Sequence, residues 1–539
     1  MRSEMMISLH ATGYCAKRII SIILLLVFLF STVGSAQAIN DEELHIVLGP
    51  EPETLDPAIT LTVDVRSYLS HLFEGLTVID AEGNIKPGCA SRWEVNDDAT
   101  QYIFTMDPSA VWTDGKQVTA DDFRFEWLRV LAPETASGWA SFLYYIKGAE
   151  RYNKGECDAD DVGISVSDAG ELVVELEVPC SFFTSMTAMQ PYYPAREDII
   201  ESNENWTANA FVSNGPYILE AWNHDQSLVL RKNENFHQKI NGEFSRLVFI
   251  LMEDSSATMN AFESGEVDFV GWVLTVDEME QVGDVNYCDY TVTKFLSINS
   301  KREAFSDVRV RQAISLALNR TVIAELMGEG YLPLCSWLPR GFVNAGVDFR
   351  DDAERASYYS AEADLEQALA LLEEAGYPNG AGFPEIEYLT NTSSLNIRLG
   401  EIVKEQLARI GLTVNIITFE QKVFGEYRRN RDFDIVAASW AAEYPDISSY
   451  FYGFQSTDIN NYSQFADEQY DALYKEALST TDPSSRFDLY HRQEELVMDS
   501  WYVLPLYSAN TSYIASDSLE GFYYDVTDCL RFTDAVLRR

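Results

Sequence analysis

The chain has 539 residues, 46% of them hydrophobic and 13% aromatic, which excludes a disordered chain and implies two or three domains instead of one core. Lys and Arg total 39 against 85 Asp and Glu, a formal net charge of −46. That balance argues against nucleic acid and anionic membrane surfaces as partners; it fits a solvated surface with a weak bias toward cationic ligands.

Lys17-Arg18 precede an apolar run from Ile19 to Phe30, broken by Ser21, and Ser35-Ala36-Gln37-Ala38 follows. A basic start, a short apolar stretch and an Ala-x-Ala end describe a cleavable secretory signal over 1–38, cut after Ala38. The run is short for a membrane span. Cys15 lies before it, so no lipid-attachment cysteine follows, and the mature protein is expected free in the periplasm or outside the cell. Export permits disulfides. None of Cys89, Cys157, Cys180, Cys288, Cys335 and Cys529 forms a CxxC; Cys157 and Cys180 flank an expected hairpin and are the first candidates for a pair.

Leu44–Leu48 reads as a strand ending at Gly49-Pro50, and Val65–Phe73 as a helix closed by Gly75. Tyr102–Met106 is a strand; Thr119-Ala120-Asp121-Asp122 caps a helix through Leu128. Strands are expected near 163–178, from Tyr217 to Leu219 and from Ser227 to Leu230. Leu247–Leu251 is a continuous apolar strand of the doubly buried kind. Helix 255–264 and strand Val267–Val270 follow. Arg309–Met327 has the spacing of one long amphipathic helix, and Asp364–Ala375 forms another, stopped by Gly376. Strand 386–390, helix 395–410, strand 412–417, helix 421–430 and strand 433–437 then alternate. That alternation predicts a parallel sheet with ligand loops at the carboxyl ends of its strands.

Ser439-Trp440-Ala441-Ala442-Glu443-Tyr444-Pro445-Asp446 leaves the last of these strands. One acid flanked by aromatic faces suits an ammonium group, by Coulomb attraction to Glu443 and ring-face attraction to Trp440 or Tyr444. The same residues also fit a surface acid beside two half-buried aromatics. Six scattered histidines form no HExxH, and there is no GxSxG elbow or P-loop. No catalytic residue, metal site or cofactor is therefore expected, although absent motifs do not exclude a secreted hydrolase.

Seven segments in order then resemble one family: Leu72-Phe73-Glu74-Gly75-Leu76, Trp112 through Phe123, Asn214-Gly215-Pro216-Tyr217, Ser264-Gly265-Glu266-Val267-Asp268, Asp307 through Ala313, Tyr388 through Ser393, and Trp440-Ala441-Ala442-Glu443-Tyr444. They resemble the oligopeptide-binding proteins of peptide ABC importers, of the dipeptide/oligopeptide type in extracellular solute-binding family 5. The resemblance implies a periplasmic-binding-protein-like α/β fold, with two main lobes joined by a two-strand hinge and a third, inserted α+β lobe. Lobe I would comprise 39–69, 191–291 and 509–539, lobe II 70–190, and lobe III 292–508. It implies a monomeric, non-catalytic receptor that takes short peptides, and no nucleic acid, to a membrane permease.

Carried over by position, Glu443 falls where relatives hold the peptide ammonium, and Val63 on the segment whose backbone pairs with the peptide. Trp139, Phe295, Trp440 and Tyr507 resemble cleft-lining aromatics, and Arg428 a cation near the peptide carboxylate. This chain departs from the pattern elsewhere. Glu443 is one methylene longer than the usual Asp. Gln421, Asn396 and Ala437 stand where relatives have tryptophan, histidine and arginine. Val292 and Ala441 occupy positions that some relatives join by a disulfide. The altered pockets leave open a dipeptide, metal chelate, haem, oligosaccharide or signalling peptide as ligand.

Overall fold

The computed structural model describes residues 43–60, 63–203, 205–271, 285–344, 347–351 and 357–538. The expected signal segment, with Cys15 and Ala38, lies outside them. Strands β1 (Glu43–Gly49), β2 (Ala90–Val95), β3 (Gln101–Met106), β4 (Ile164–Val166), β5 (Leu172–Glu175), β6 (Tyr217–Asn223), β7 (Ser227–Lys232), β8 (Arg246–Leu251), β9 (Phe269–Gly271), β10 (Asn286–Ile298), β11 (Ile386–Asn391), β12 (Val414–Phe419), β13 (Ile435–Ala441) and β14 (Val503–Ala515) carry the architecture. The helices that matter for the site are α1 (Val63–Leu72), α2 (Ala120–Leu131), α3 (Val308–Ala317), α4 (Arg320–Met327), α5 (Ser394–Ala408), α6 (Gln421–Asn430) and α7 (Pro483–Ser500).

Ten of these strands form one mixed sheet in the order β12-β11-β13-β10-β14-β9-β1-β8-β7-β6, with a short strand Leu332–Pro333 beside β14. β10 and β14 are its longest members, 13 residues each. They pair antiparallel from Asn286↔Tyr513 to Ser297↔Val503. One stretch of β10 also pairs with β13, Val292↔Ala441 through Ile298↔Ile435, while the far end of β14 pairs with β9. The same two strands thus belong to both halves of the sheet. The side chains do not follow this continuity. One core gathers Leu44, Ile46, Tyr68, Trp127 and Phe249; another gathers Phe295, Ile314, Trp337, Tyr388 and Tyr490. A separate sheet, β2-β3-β5-β4, packs with α2 into the first core. α2 starts at a capping box in which Thr119 and Asp122 satisfy each other's backbone.

The alternating segment after residue 386 is parallel as expected: Tyr388 pairs with Ile416 on β12 and with Ile435 on β13. Four local expectations are corrected. The helix expected over Arg309–Met327 is two helices, because Asn319 turns its Oδ1 to the Val322 N–H at 2.9 Å and caps α4. β8 is not doubly buried. It pairs antiparallel with β7, and Leu247 and Phe249 are enclosed while Val248 and Ile250 are half-buried. The strand expected over 433–437 runs instead from Ile435 to Ala441, since Trp440 pairs with Thr293 on β10. Finally, Cys157 and Cys180 are not paired: both are free thiols. Cys180 is sealed in the core, whereas half-buried Cys157 turns its Sγ to the Gly148 carbonyl at 3.7 Å.

Candidate functional site

β13 delivers Trp440 and then, two residues past its end, Glu443. The Trp440 indole is 8% exposed. Its Nε1 donates to the Ser449 carbonyl at 2.8 Å, and Trp337 and Tyr452 flank the ring. Gly453 presses on its edge so closely that an added Cβ would lie 2.1 Å from the ring. Trp440 is therefore a fixed wall. Glu443 is exposed, and its backbone N–H donates to Ser449 Oγ at 2.8 Å. Desolvation raises its carboxyl above the usual glutamate range, the Tyr452 hydroxyl bonded to it opposes this, and the Asp458 charge adds to it. Among the described residues Glu443 makes no ion pair, and it is exposed.

A second polar group lies where β11, β12 and β13 end. Asn391, the last residue of β11, links Gln421 at the start of α6 (2.8 Å) to Asn396 in the first turn of α5 (2.8 Å). Asn396 Oδ1 accepts from Lys294 Nζ at 2.7 Å, and Ser439 Oγ lies 3.3 Å from the same nitrogen. Lys294 is 7% exposed; burial and then the nearby Arg428 charge lower its ammonium to about 8. Arg428 lies over the Tyr462 ring at 4.6 Å, and its Nε is buried with no hydrogen-bond partner among the described residues. The carboxyl ends of parallel strands are where α/β sheets hold ligands. Three expected residues, Gln421, Asn396 and Arg428, thus converge, and they converge on Lys294, which sequence reasoning passed over. Its signal was a lone charge inside Val292-Thr293-Lys294-Phe295-Leu296, where strand alternation leaves every second side chain on one face.

The profile of the bacterial extracellular solute-binding proteins, family 5 (Middle), matches residues 84–462. The chain belongs to this family. It is 28% identical over 496 residues to the dipeptide-binding protein DppE of Bacillus subtilis, covering 90% of each chain. It is 29% identical to the periplasmic oligopeptide-binding protein OppA of Salmonella typhimurium, over 85% of this chain and 86% of that one. In structure it is similar to the periplasmic murein tripeptide binding protein MppA in its unliganded open form, with a TM-score of 0.83 and 25% identity, over 92% of this chain and 98% of that one. The fold is accordingly periplasmic-binding-protein-like: two main α/β lobes joined by β10 and β14, and a third, α+β lobe built on β2–β5.

Of the remaining expected positions, Phe295 and Tyr507 lie on the hinge strands β10 and β14, whereas Val63 and Trp139 lie elsewhere in the chain. Val63 opens α1. The strip before it is held by side chains from elsewhere in the chain: Trp139 Nε1 donates to the Thr60 carbonyl at 2.6 Å, Gln190 Nε2 to Thr60 and Pro57 at 2.9 and 2.7 Å, and Arg129 grips Asp56 through both oxygens. Phe295 is 2% exposed and meets Trp337 edge-on at 5.0 Å, so it stiffens the core beneath the sheet. Tyr507 pairs with Lys294 across β10 and β14 and packs on Tyr331. Tyr444 is buried and stacks on Phe182. Next to it, Asp446 accepts from Arg486 Nη1 at 2.8 Å. A cavity of about 460 Å³ lies behind this loop, lined by Trp93, Phe182, Asp446 and Arg486 rather than by Glu443, Lys294 or Arg428. Among the described residues no cluster of ligands could hold a metal ion, and no helix is long and apolar enough to cross a membrane.

Proposed function

We propose that this exported solute-binding protein captures short peptides between its two main lobes and delivers them to the membrane permease of an ABC importer. It acts as a monomer, without catalysis, cofactor or nucleic acid, after removal of the signal at Ala38. The observation that supports the reading is Glu443: an exposed carboxylate with no ion pair among the described residues, on a loop whose neighbours are immobilised. Relatives named for dipeptides and oligopeptides match along most of the chain. In this reading Glu443 receives the peptide ammonium, and the Val63 segment, braced by Trp139, offers its backbone. Asn396, Gln421 and Arg428 meet the other end of the ligand. Trp440, Tyr444, Phe295 and Tyr507 set the walls. The lobe limits are 39–69, 191–291 and 509–539 for the first, 70–190 for the inserted one and 292–508 for the third.

Titration calorimetry with tetra-alanine and N-acetyl-tetra-alanine tests it. Acetylation removes the ammonium, and Glu443→Lys places like charges in contact. Each change is expected to cost about 2–5 kcal/mol of binding, as for other desolvated charge pairs. Equal affinity for the two peptides would overturn the role of Glu443.

A further inference from the structure

We infer that a second cavity, floored by Arg531 and Glu74, binds a free α-amino acid with an apolar side chain. None of Glu443, Lys294, Arg428 and Val63 lines it, and the inference holds whether or not those residues take peptides.

The cavity, of about 340 Å³, lies where three stretches meet: the hairpin of Thr77–Ile79 with Ile85–Pro87, the segment 236–241, and the C-terminal hairpin in which Tyr523 pairs with Arg531. The Tyr523 hydroxyl donates to the Ile79 carbonyl at 3.2 Å and ties the last of these to the first. Phe73, Val78, Pro216, Phe236 and Ile240 supply apolar wall. Two charges are enclosed among them, Glu74 at 4% exposed and Arg531 at 8%. Arg531 is poorly matched. Its ion pair with Asp525 Oδ2 is 3.9 Å long, and that acid is already engaged, since its Oδ1 accepts from the Thr527 N–H and hydroxyl and from the Cys529 N–H. Arg531 Nη1 reaches the Ser70 carbonyl at 3.5 Å, and the Tyr193 hydroxyl bonds to the guanidinium. Its Nε is buried with no hydrogen-bond partner among the described residues. Folded chains pair nearly all their buried polar groups, and a guanidinium carries five N–H donors in a fork that fits a carboxylate. Glu74 is uneven in the same way. Its Oε2 takes His237 Nε2 at 2.6 Å and the Cys89 thiol at 3.2 Å. Its Oε1 meets the Gln238 amide at 3.3 Å, which also donates to the Pro87 carbonyl at 3.0 Å.

The charge balance of the lining selects a ligand that carries both signs. Glu74, Asp80, Glu82 and Asp534 stand against Lys86, Lys239 and Arg531, four acids to three bases. Asp80 pairs with Lys86 at 3.3 Å, and Asp534 accepts from the Asn241 amide at 2.8 Å. A ligand of one net charge would meet repulsion from part of this wall. A zwitterion can offer its carboxylate to Arg531 and its ammonium to Glu74 Oε1, so that each floor charge gains the partner it lacks. Pockets for small molecules span about 300–1,000 Å³. This cavity is at the lower end, which suits a single amino acid, and its apolar wall suits an aliphatic or aromatic side chain.

Titration calorimetry with L-leucine, N-acetyl-leucine and leucinamide, on the wild type, Arg531→Gln, Ala81→Trp and Glu443→Lys, tests this. Leucine is expected to saturate one site in the wild type. The acetylated and amidated forms should bind at least tenfold more weakly, since each lacks one of the two charges. Arg531→Gln should weaken leucine at least tenfold and erase its advantage over leucinamide. Ala81 lines the cavity from an exposed turn, so Ala81→Trp should block leucine without straining the core. It carries the test alone if Arg531→Gln fails to fold. Glu443→Lys should bind leucine as the wild type does, which separates this site from the one proposed for peptides. No leucine binding by the wild type, equal binding of the three compounds, or a leucine affinity that Ala81→Trp leaves unchanged would each overturn the inference. Loss of leucine binding in Glu443→Lys would overturn it too, by placing the amino acid at the Glu443 loop.

Discussion

Phe182 and Tyr444 stack with ring centroids 5.1 Å apart and planes 7° from parallel. The pair joins the loop that carries Glu443 to the inserted lobe, and the Ser181 N–H donates to the Leu478 carbonyl at 2.8 Å beside it. Both rings are almost fully enclosed, so Phe182→Ala and Tyr444→Ala should each destabilise by about 3–5 kcal/mol. The double variant should cost about 1 kcal/mol less than the sum, the usual share of an aromatic pair beyond its buried area. Urea unfolding of the four proteins measures this. Strict additivity would mean that the two rings merely occupy neighbouring space.

Peptide binding at Glu443 should expel protons. Desolvation holds the folded-state pKa of this carboxyl above the ordinary 4.5, with the Tyr452 hydroxyl opposing and Asp458 assisting. The folded chain therefore keeps a proton that the unfolded chain releases. The contribution to stability is fully present below 4.5 and is lost as pH rises through the raised value. An incoming ammonium favours the ionised form. In that window, tetra-alanine binding measured in buffers of different ionisation enthalpy should release protons in the wild type. Glu443→Gln should release fewer, and equal release would place the titrating group elsewhere.

His237 predicts a separate loss of stability on the alkaline side. Its side chain is 2% exposed, with Nε2 at 2.6 Å from Glu74 and Nδ1 at 3.5 Å from Asp107. Desolvation works against the imidazolium, but the bond to Glu74 and the two carboxylate charges prevail and raise its pKa. The stabilisation is complete below the ordinary 6.5 and disappears as pH rises through the raised value. The urea midpoint should fall across that interval, and His237→Gln should be less stable at pH 6 and flatter above it. A wild-type midpoint independent of pH would show that the imidazole is buried neutral.

Much of the lobe containing Lys294 was readable because its signals are local. The periodicity at 421–430 gave α6 at its observed limits, and the alternation from 386 onward gave the parallel order. What escaped depends on partners distant in sequence. Trp440 looked like a loop residue because nothing near it announces Thr293, 147 positions earlier, as its strand partner. Asn319 looked like one polar residue on a helix until its cap divided α3 from α4. The acid at Glu443 was legible from a strand ending in aromatics, but the orientations of Trp440 and Tyr444, one into the core and one toward Phe182, were not. Lys294 escaped for the same reason: its meaning lies in Asn396 and Ser439, more than a hundred residues away.

Val292 and Ala441 face each other across β10 and β13, and both are half-buried. Directly opposed residues of an antiparallel pair have Cα atoms about 4.5–5.5 Å apart, inside the range that a disulfide spans. None of the described cysteines adjoins this pair in the β10–β13 ladder. Val292→Cys with Ala441→Cys should therefore oxidise to a bridge without displacing either strand. Mass spectrometry after alkylation under denaturing conditions should count two fewer reactive thiols in the oxidised double variant than in its reduced form. The bridge should add about 2–4 kcal/mol to stability, because it closes a long loop in the unfolded chain. It ties β10 to β13 at a position where Val292 also pairs with Ala509 on β14, and because it fixes a register that is already formed, tetra-alanine affinity should stay within about twofold, well under the 1.4 kcal/mol of a tenfold change. A bridge that forms but abolishes binding would mean that these strands must shift against each other when the ligand is taken up.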